Sequence, residues 1–198
     1  FAPDGGYKYS NAGYWLLSVI IERVSEMTYD QFLMSNLLAP NVLSSTTVPM
    51  LGTDRTIPAP FNPGYIYDGN VMTDVTQANY SHAVGSGNIL STPADIARWV
   101  KRLIRGEAGP NAVSVQAMKT ATPQSGTSNY GLGIFHTAGL GYGHNGAVSG
   151  YLSQMLHDPD SGVTTIVYFN VWDVPHLAPD QFALNERAAR DAKAAIGY

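Results

Sequence analysis

Cysteine is absent from the 198 residues. Disulfide frameworks, thiolate nucleophiles and cysteine-based zinc sites are therefore excluded together. Charge is also scarce, at 13% of residues against roughly 25% in an ordinary soluble domain, while hydrophobic residues reach 44%. Such a chain can bury a core and does not have the composition of a disordered one. Eleven Lys and Arg against fifteen Asp and Glu give a formal net charge of -4, so no basic excess exists to neutralise phosphates. Nucleic acid is accordingly not an expected partner. Apolar runs such as residues 14–21 fall far short of the roughly 18 to 20 needed to span a membrane as a helix. The histidines show neither H-E-x-x-H nor close pairing, so neither a metal nor a cofactor is expected. The nucleophile elbow G-x-S-x-G is missing too.

What is present reads as helices first and strands later. Residues 12–27 carry a helical pattern that is apolar nearly all round up to Ile21, which predicts a buried helix. Thr28 with Gln31 resembles a capping box and opens a second helix running to about Leu38, before Pro40. Residues 41–84 hold several Pro and Gly without a sustained period, which predicts a long irregular segment. Thr92-Pro93-Ala94-Asp95 supplies an N-cap, a Pro at the first helical position and an acid in the first turn, and the helix stops at Gly106. A shorter helix is expected over 113–119. Residues 130–135, 150–157 and 163–171 are strand-like, and 158–162 make a hairpin connection. A closing helix is expected over 179–196. The whole is an α+β arrangement, with a mainly helical subregion over 1–110 and an antiparallel sheet with its closing helix over 111–198.

Two clusters carry potential chemistry. Tyr9-Ser10-Asn11 precedes a helix, so either Ser10 or Asn11 serves as its N-cap, or Tyr9 works as a proton acceptor. A phenol of ordinary pKa near 10 does the latter at neutral pH only where cations favour the phenolate or a lysine shares the proton. The second cluster is Gly143-His144-Asn145-Gly146-Ala147. Gly141, Gly143 and Gly146 fit the dinucleotide-binding spacing, but a strand-like stretch follows them where that motif needs a helix. The glycines better suit a strand edge kept clear of bulk, where a substrate lies against backbone N–H groups and His144 points into a cleft. A packed or surface histidine is the other reading.

In order along the chain stand Phe1-Ala2-Pro3, Tyr9-Ser10-Asn11, the run from Gly87 to Asp95, Tyr130-Gly131-Leu132-Gly133 and Gly143-His144-Asn145-Gly146. Together they resemble the serine β-lactamase and penicillin-binding family, particularly class C β-lactamases, D-alanyl-D-alanine carboxypeptidases and related esterases. The resemblance implies a β-lactamase/transpeptidase-like fold and a serine that forms an acyl-enzyme with a β-lactam, a peptide or a small ester. It implies that Tyr9 assists proton transfer and that Asn11 contacts the substrate amide and the catalytic lysine. It implies that His144 aids charge and proton movement, with Asn145 and Gly146 at the substrate, and that the Ala147 N–H forms half of the oxyanion hole.

The family's nucleophile motif Ser-x-x-Lys is not found: none of Lys8, Lys101, Lys119 and Lys193 has a serine three positions before it. The chain is thus expected to be the C-terminal part of a longer enzyme, inactive alone, with an N-terminal segment of the same protein supplying the nucleophile. The alternative is a non-catalytic binding module on the same scaffold. A periplasmic or extracellular location is implied by the resemblance.

Overall fold

The computed structural model describes residues 2, 6–120, 129–176 and 178–198. Helix α1 (Asn11–Ser25) opens the fold and is followed by α2 (Tyr29–Leu33), which widens into a π-helical stretch over Met34–Leu38. The capping box forms, with the Thr28 N–H donating to Gln31 Oε1 at 3.2 Å. The irregular segment contains two short strands, β1 (Tyr65–Tyr67) and β2 (Met72–Asp74). Helix α3 (Pro93–Ile104) starts as its sequence predicts, its Thr92 side chain accepting from the Asp95 N–H, and α4 (Ala112–Lys119) follows.

The principal sheet has four antiparallel strands in the order β3 (Phe135–Thr137), β4 (Gly141–Val148), β5 (Tyr151–His157) and β6 (Thr164–Phe169). Strand β7 (Val171–Asp173) leaves it to pair parallel with β1, giving a small second sheet β2-β1-β7. Helix α5 (Ala178–Ala195) closes the chain. Each face of the main sheet buries a separate core. Met155 and Ile166 meet Val100 and Ile104 of α3 on one face, and on the other Leu156 and Val167 meet Ala189 of α5. This is strand alternation at work, since neighbouring residues on β5 and β6 point to opposite faces.

Helix α1 departs from its expected burial. Trp15, Leu16, Leu17, Ile20 and Val24 are all at least half exposed, and Ser18 is the helix's fully buried residue. The stripe turned inward is Tyr14, Ser18, Ile21, Glu22 and Ser25, spaced as one helical face. The greasiest part of the helix thus faces outward, opposite to an ordinary amphipathic surface helix. The burial expected from the apolar pattern is not found: among the described residues nothing covers this face.

Candidate functional site

Tyr9 is the second residue before α1, held where the extended backbone of Ser10 turns into the helix. Ser10 occupies the N-cap position, yet its side chain makes no capping hydrogen bond. Asn11 is exposed as the first residue of the helix. From this end of α1 the Tyr9 ring reaches the sheet, its centre 6.3 Å from the imidazole of His144 in β4. Two residues far apart in sequence are therefore neighbours in space.

Two further side chains join them. Tyr130 packs edge-on against Tyr9 at 5.7 Å and edge-on against His144 at 5.6 Å, and its hydroxyl lies 2.8 Å from His144 Nε2. Tyr14, one turn into α1, brings its hydroxyl within 3.2 Å of that of Tyr130. Tyr7 also packs against Tyr130, ring centres 5.9 Å apart. No local motif announced Tyr14 as a member. Tyr130 stood within the stretch Tyr130-Gly131-Leu132-Gly133, but its partner on His144 is visible only in three dimensions.

Strand β4 sets what His144 and its successors present. The short strand β3 pairs with Gly141 to Gly143, so among the described residues the edge of β4 from His144 to Val148 has no strand partner on that side, while β5 pairs along the other edge. Gly143 is required by crowding: a Cβ there would sit 1.8 Å from the Met155 carbonyl oxygen. Alternation from Gly143, which is opposite Leu156, places the side chains of Asn145 and Ala147 on the α5 face, and His144 and Gly146 on the other. What Asn145 and Ala147 bring to the His144 side is therefore their backbone. The end of β4 is walled by the irregular segment, with the Tyr80 hydroxyl donating to the Ser149 carbonyl at 3.1 Å and the Tyr151 hydroxyl to that of Asn62 at 2.9 Å.

The electrostatics of the cluster favour neutral groups. Burial lowers the His144 pKa below its ordinary value of 6.5, opposed by the hydrogen bond to the Asn145 carbonyl. Burial raises Tyr9 above 10, and the nearby Tyr14 and Tyr7 push it the same way. Burial and the hydrogen bond with Tyr14 drive Tyr130 far up. Tyr9 is a neutral phenol here, and its surroundings contain no cation that lowers it among the described residues. A groove between α2 and Thr47, lined by Met27, Gln31, Met34 and Val48, holds none of these side chains. No group of His, Asp or Glu among the described residues could hold a metal ion, and no described helix is long and apolar enough to cross a membrane.

The family model Beta-lactamase matches residues 1–190. Among curated proteins, penicillin-binding protein 4* of Bacillus subtilis is 28% identical over 86% of this chain and 41% of its own length. The D-aminopeptidase of Brucella canis is 27% identical over 86% of this chain and 33% of its own length. Among solved structures, a D-stereospecific amidohydrolase from Streptomyces superposes with a TM-score of 0.77 at 28% identity, covering 86% of this chain and 52% of that one. The chain spans about half or less of the length of these relatives.

Proposed function

The chain belongs to the β-lactamase family, and from that premise we propose that it is the C-terminal part of a serine hydrolase that opens amides through an acyl-enzyme. D-amino-acid amides or peptides are the first substrates to test, since an aminopeptidase and an amidohydrolase of D-specific name are among its relatives. The observation that carries the reading is the approach of Tyr9 to His144 at the open stretch of β4. Proton-handling side chains and a strand edge able to receive a substrate backbone converge there.

In this reading a serine from a segment outside these residues attacks the amide carbonyl. Tyr9 passes the serine's proton toward the departing amine, and water then releases the acyl group, returning a proton to the serine. The oxyanion lies against the Ala147 N–H and a second donor from the nucleophile's segment. Asn11 and the backbone of Asn145 and Gly146 hold the substrate. Tyr9 as a neutral phenol fits this division, because the cation that would make it a proton acceptor belongs with the nucleophile. The outward apolar face of α1 is where that segment packs.

The deciding experiment is acylation. The chain alone, incubated with a fluorescent penicillin or an activated D-phenylalanine ester, is expected to form no covalent adduct by intact mass. The complete protein is expected to be labelled stoichiometrically at a serine in Ser-x-x-Lys. Rapid labelling of the chain alone, with Ser10 the first position to map, would place the nucleophile within these residues and overturn the assignment. A complete protein that binds such ligands without acylation would favour the non-catalytic binding module.

A further inference from the structure

We propose that Tyr130 is a positioning residue for His144: its hydroxyl, backed by Tyr14, partners Nε2 in both protonation states of the ring and leaves Nε2 as the basic nitrogen. The inference rests on the reading of His144 as a working member of the site. The orientation follows from donor and acceptor identities. His144 Nδ1 contacts the Asn145 carbonyl, which can only accept, so Nδ1 carries the proton of the neutral ring. Nε2 is then the lone-pair nitrogen and must accept from the Tyr130 O–H, 2.8 Å away. The Tyr130 oxygen in turn accepts from the Tyr14 O–H at 3.2 Å.

Protonation of the ring inverts this chain without moving a heavy atom. Nε2 becomes a donor, the Tyr130 oxygen accepts from it, and the Tyr130 O–H rotates to donate to the Tyr14 oxygen. A hydroxyl can serve both states because it is donor and acceptor at once; a carboxylate or an ammonium could serve only one. Tyr130 stays un-ionised throughout, its pKa raised far beyond the working range by burial and by Tyr14.

The groups facing the imidazole are Tyr9, Phe135 and Tyr130 by ring contact, with Met155 opposite on β5. On the same sheet face, one pleat away, Lys119 of α4 sits with its ammonium 4.9 Å from the Tyr142 ring centre. In surroundings this apolar, a hydroxyl that can accept from the imidazolium has a large effect on whether the ring protonates. Hydrogen bonds to charged groups are roughly twice as strong as neutral ones, so losing the partner harms the charged ring more.

The test is 15N magic-angle-spinning NMR of the histidine-labelled chain across pH, which reads the tautomer whether or not the chain self-associates. The neutral wild-type ring is expected to carry its proton on Nδ1, with Nε2 accepting a hydrogen bond. Tyr130→Phe, which keeps the ring and its packing, should free Nε2 and weaken proton binding at His144 roughly fivefold or more. Tyr14→Phe should act in the same direction with a smaller effect. A wild-type proton on Nε2, or an unchanged titration in a folded Tyr130→Phe, overturns the inference. Should Tyr130→Phe fail to fold, the wild-type tautomer and Tyr14→Phe decide it. A flat pH profile of the complete enzyme that ignores His144→Gln would remove His144 from catalysis while leaving the positioning by Tyr130 standing, so the two failures are separable.

Discussion

The Tyr9 ring, at the mouth of α1, lies 6.3 Å centre to centre from the imidazole of His144 in β4, and Tyr130 packs edge-on against both. Burial lowers the His144 pKa from 6.5, and in the proposed mechanism the neutral ring, its Nε2 accepting from the Tyr130 O–H, is the competent form. In the complete enzyme, kcat/KM is therefore expected to fall as pH drops through a midpoint below 6.5 and to be level above it. His144→Gln should remove that limb. A limb centred above 6.5 that survives the substitution would assign it to another group.

Tyr9→Phe should lower kcat by about 100-fold or more in the complete enzyme, with KM little changed, because it removes a proton-transfer group and keeps the ring contacts with Tyr14, Tyr130 and His144. If Tyr9 were only a packing residue, the same variant would lose thermal stability and retain turnover per folded molecule. Steady-state kinetics beside a melting curve separates the two.

The outward face of α1 makes a prediction about association. Trp15, Leu16, Ile20 and Val24 present a contiguous apolar stripe, and monomers seldom leave such a surface in water. Strand β6 is an edge strand of the main sheet, with no further strand paired to it among the described residues, and such an edge invites association. The chain alone should sediment as oligomers, and Leu16→Gln with Ile20→Gln should shift it toward monomer in analytical ultracentrifugation. A monodisperse, cooperatively melting wild-type monomer would show that these surfaces are tolerated.

The sequence carried much of this fold in its local chemistry, and for identifiable reasons. Thr92, Pro93 and Asp95 announce α3 because capping is a short-range interaction, and 158–162 announces the β5–β6 hairpin through its turn residues. Strands β1, β2 and β7 are three residues each, too short for any period to show, and their pairing joins distant parts of the chain. Tyr9 and His144 were legible through the motifs around them. Tyr14 was not, because its place depends on a hydroxyl meeting Tyr130 across 116 residues. The exposure of α1 was beyond the sequence for another reason: an apolar pattern does not record which residues, if any, lie against it.

Lys193 of α5 and Asp158 of the β5–β6 turn form a pair at 2.6 Å, both side chains nearly covered. Burial alone would raise the Asp158 pKa, but hydrogen bonds from Lys193, Ser161 and the Asp160 N–H outweigh it and hold the carboxyl down at about 2. A folded pKa below the unfolded value of 3.8 means the stabilisation is fully present above about pH 4 and is lost as pH falls through 2. The gap corresponds to on the order of 2 kcal/mol. Unfolding free energy of the complete protein should therefore decline between pH 4 and pH 2, and Asp158→Asn should flatten that part of the curve. The same variant should be less stable at pH 7, since it leaves the buried ammonium of Lys193 with the Gly139 carbonyl and no opposite charge. Lys193→Met with Asp158→Leu, which removes both charges and fills their space, should recover most of that loss. A double variant as unstable as Asp158→Asn would mean that α5 is anchored to the turn by the hydrogen bonds of this pair and not by the balance of its charges.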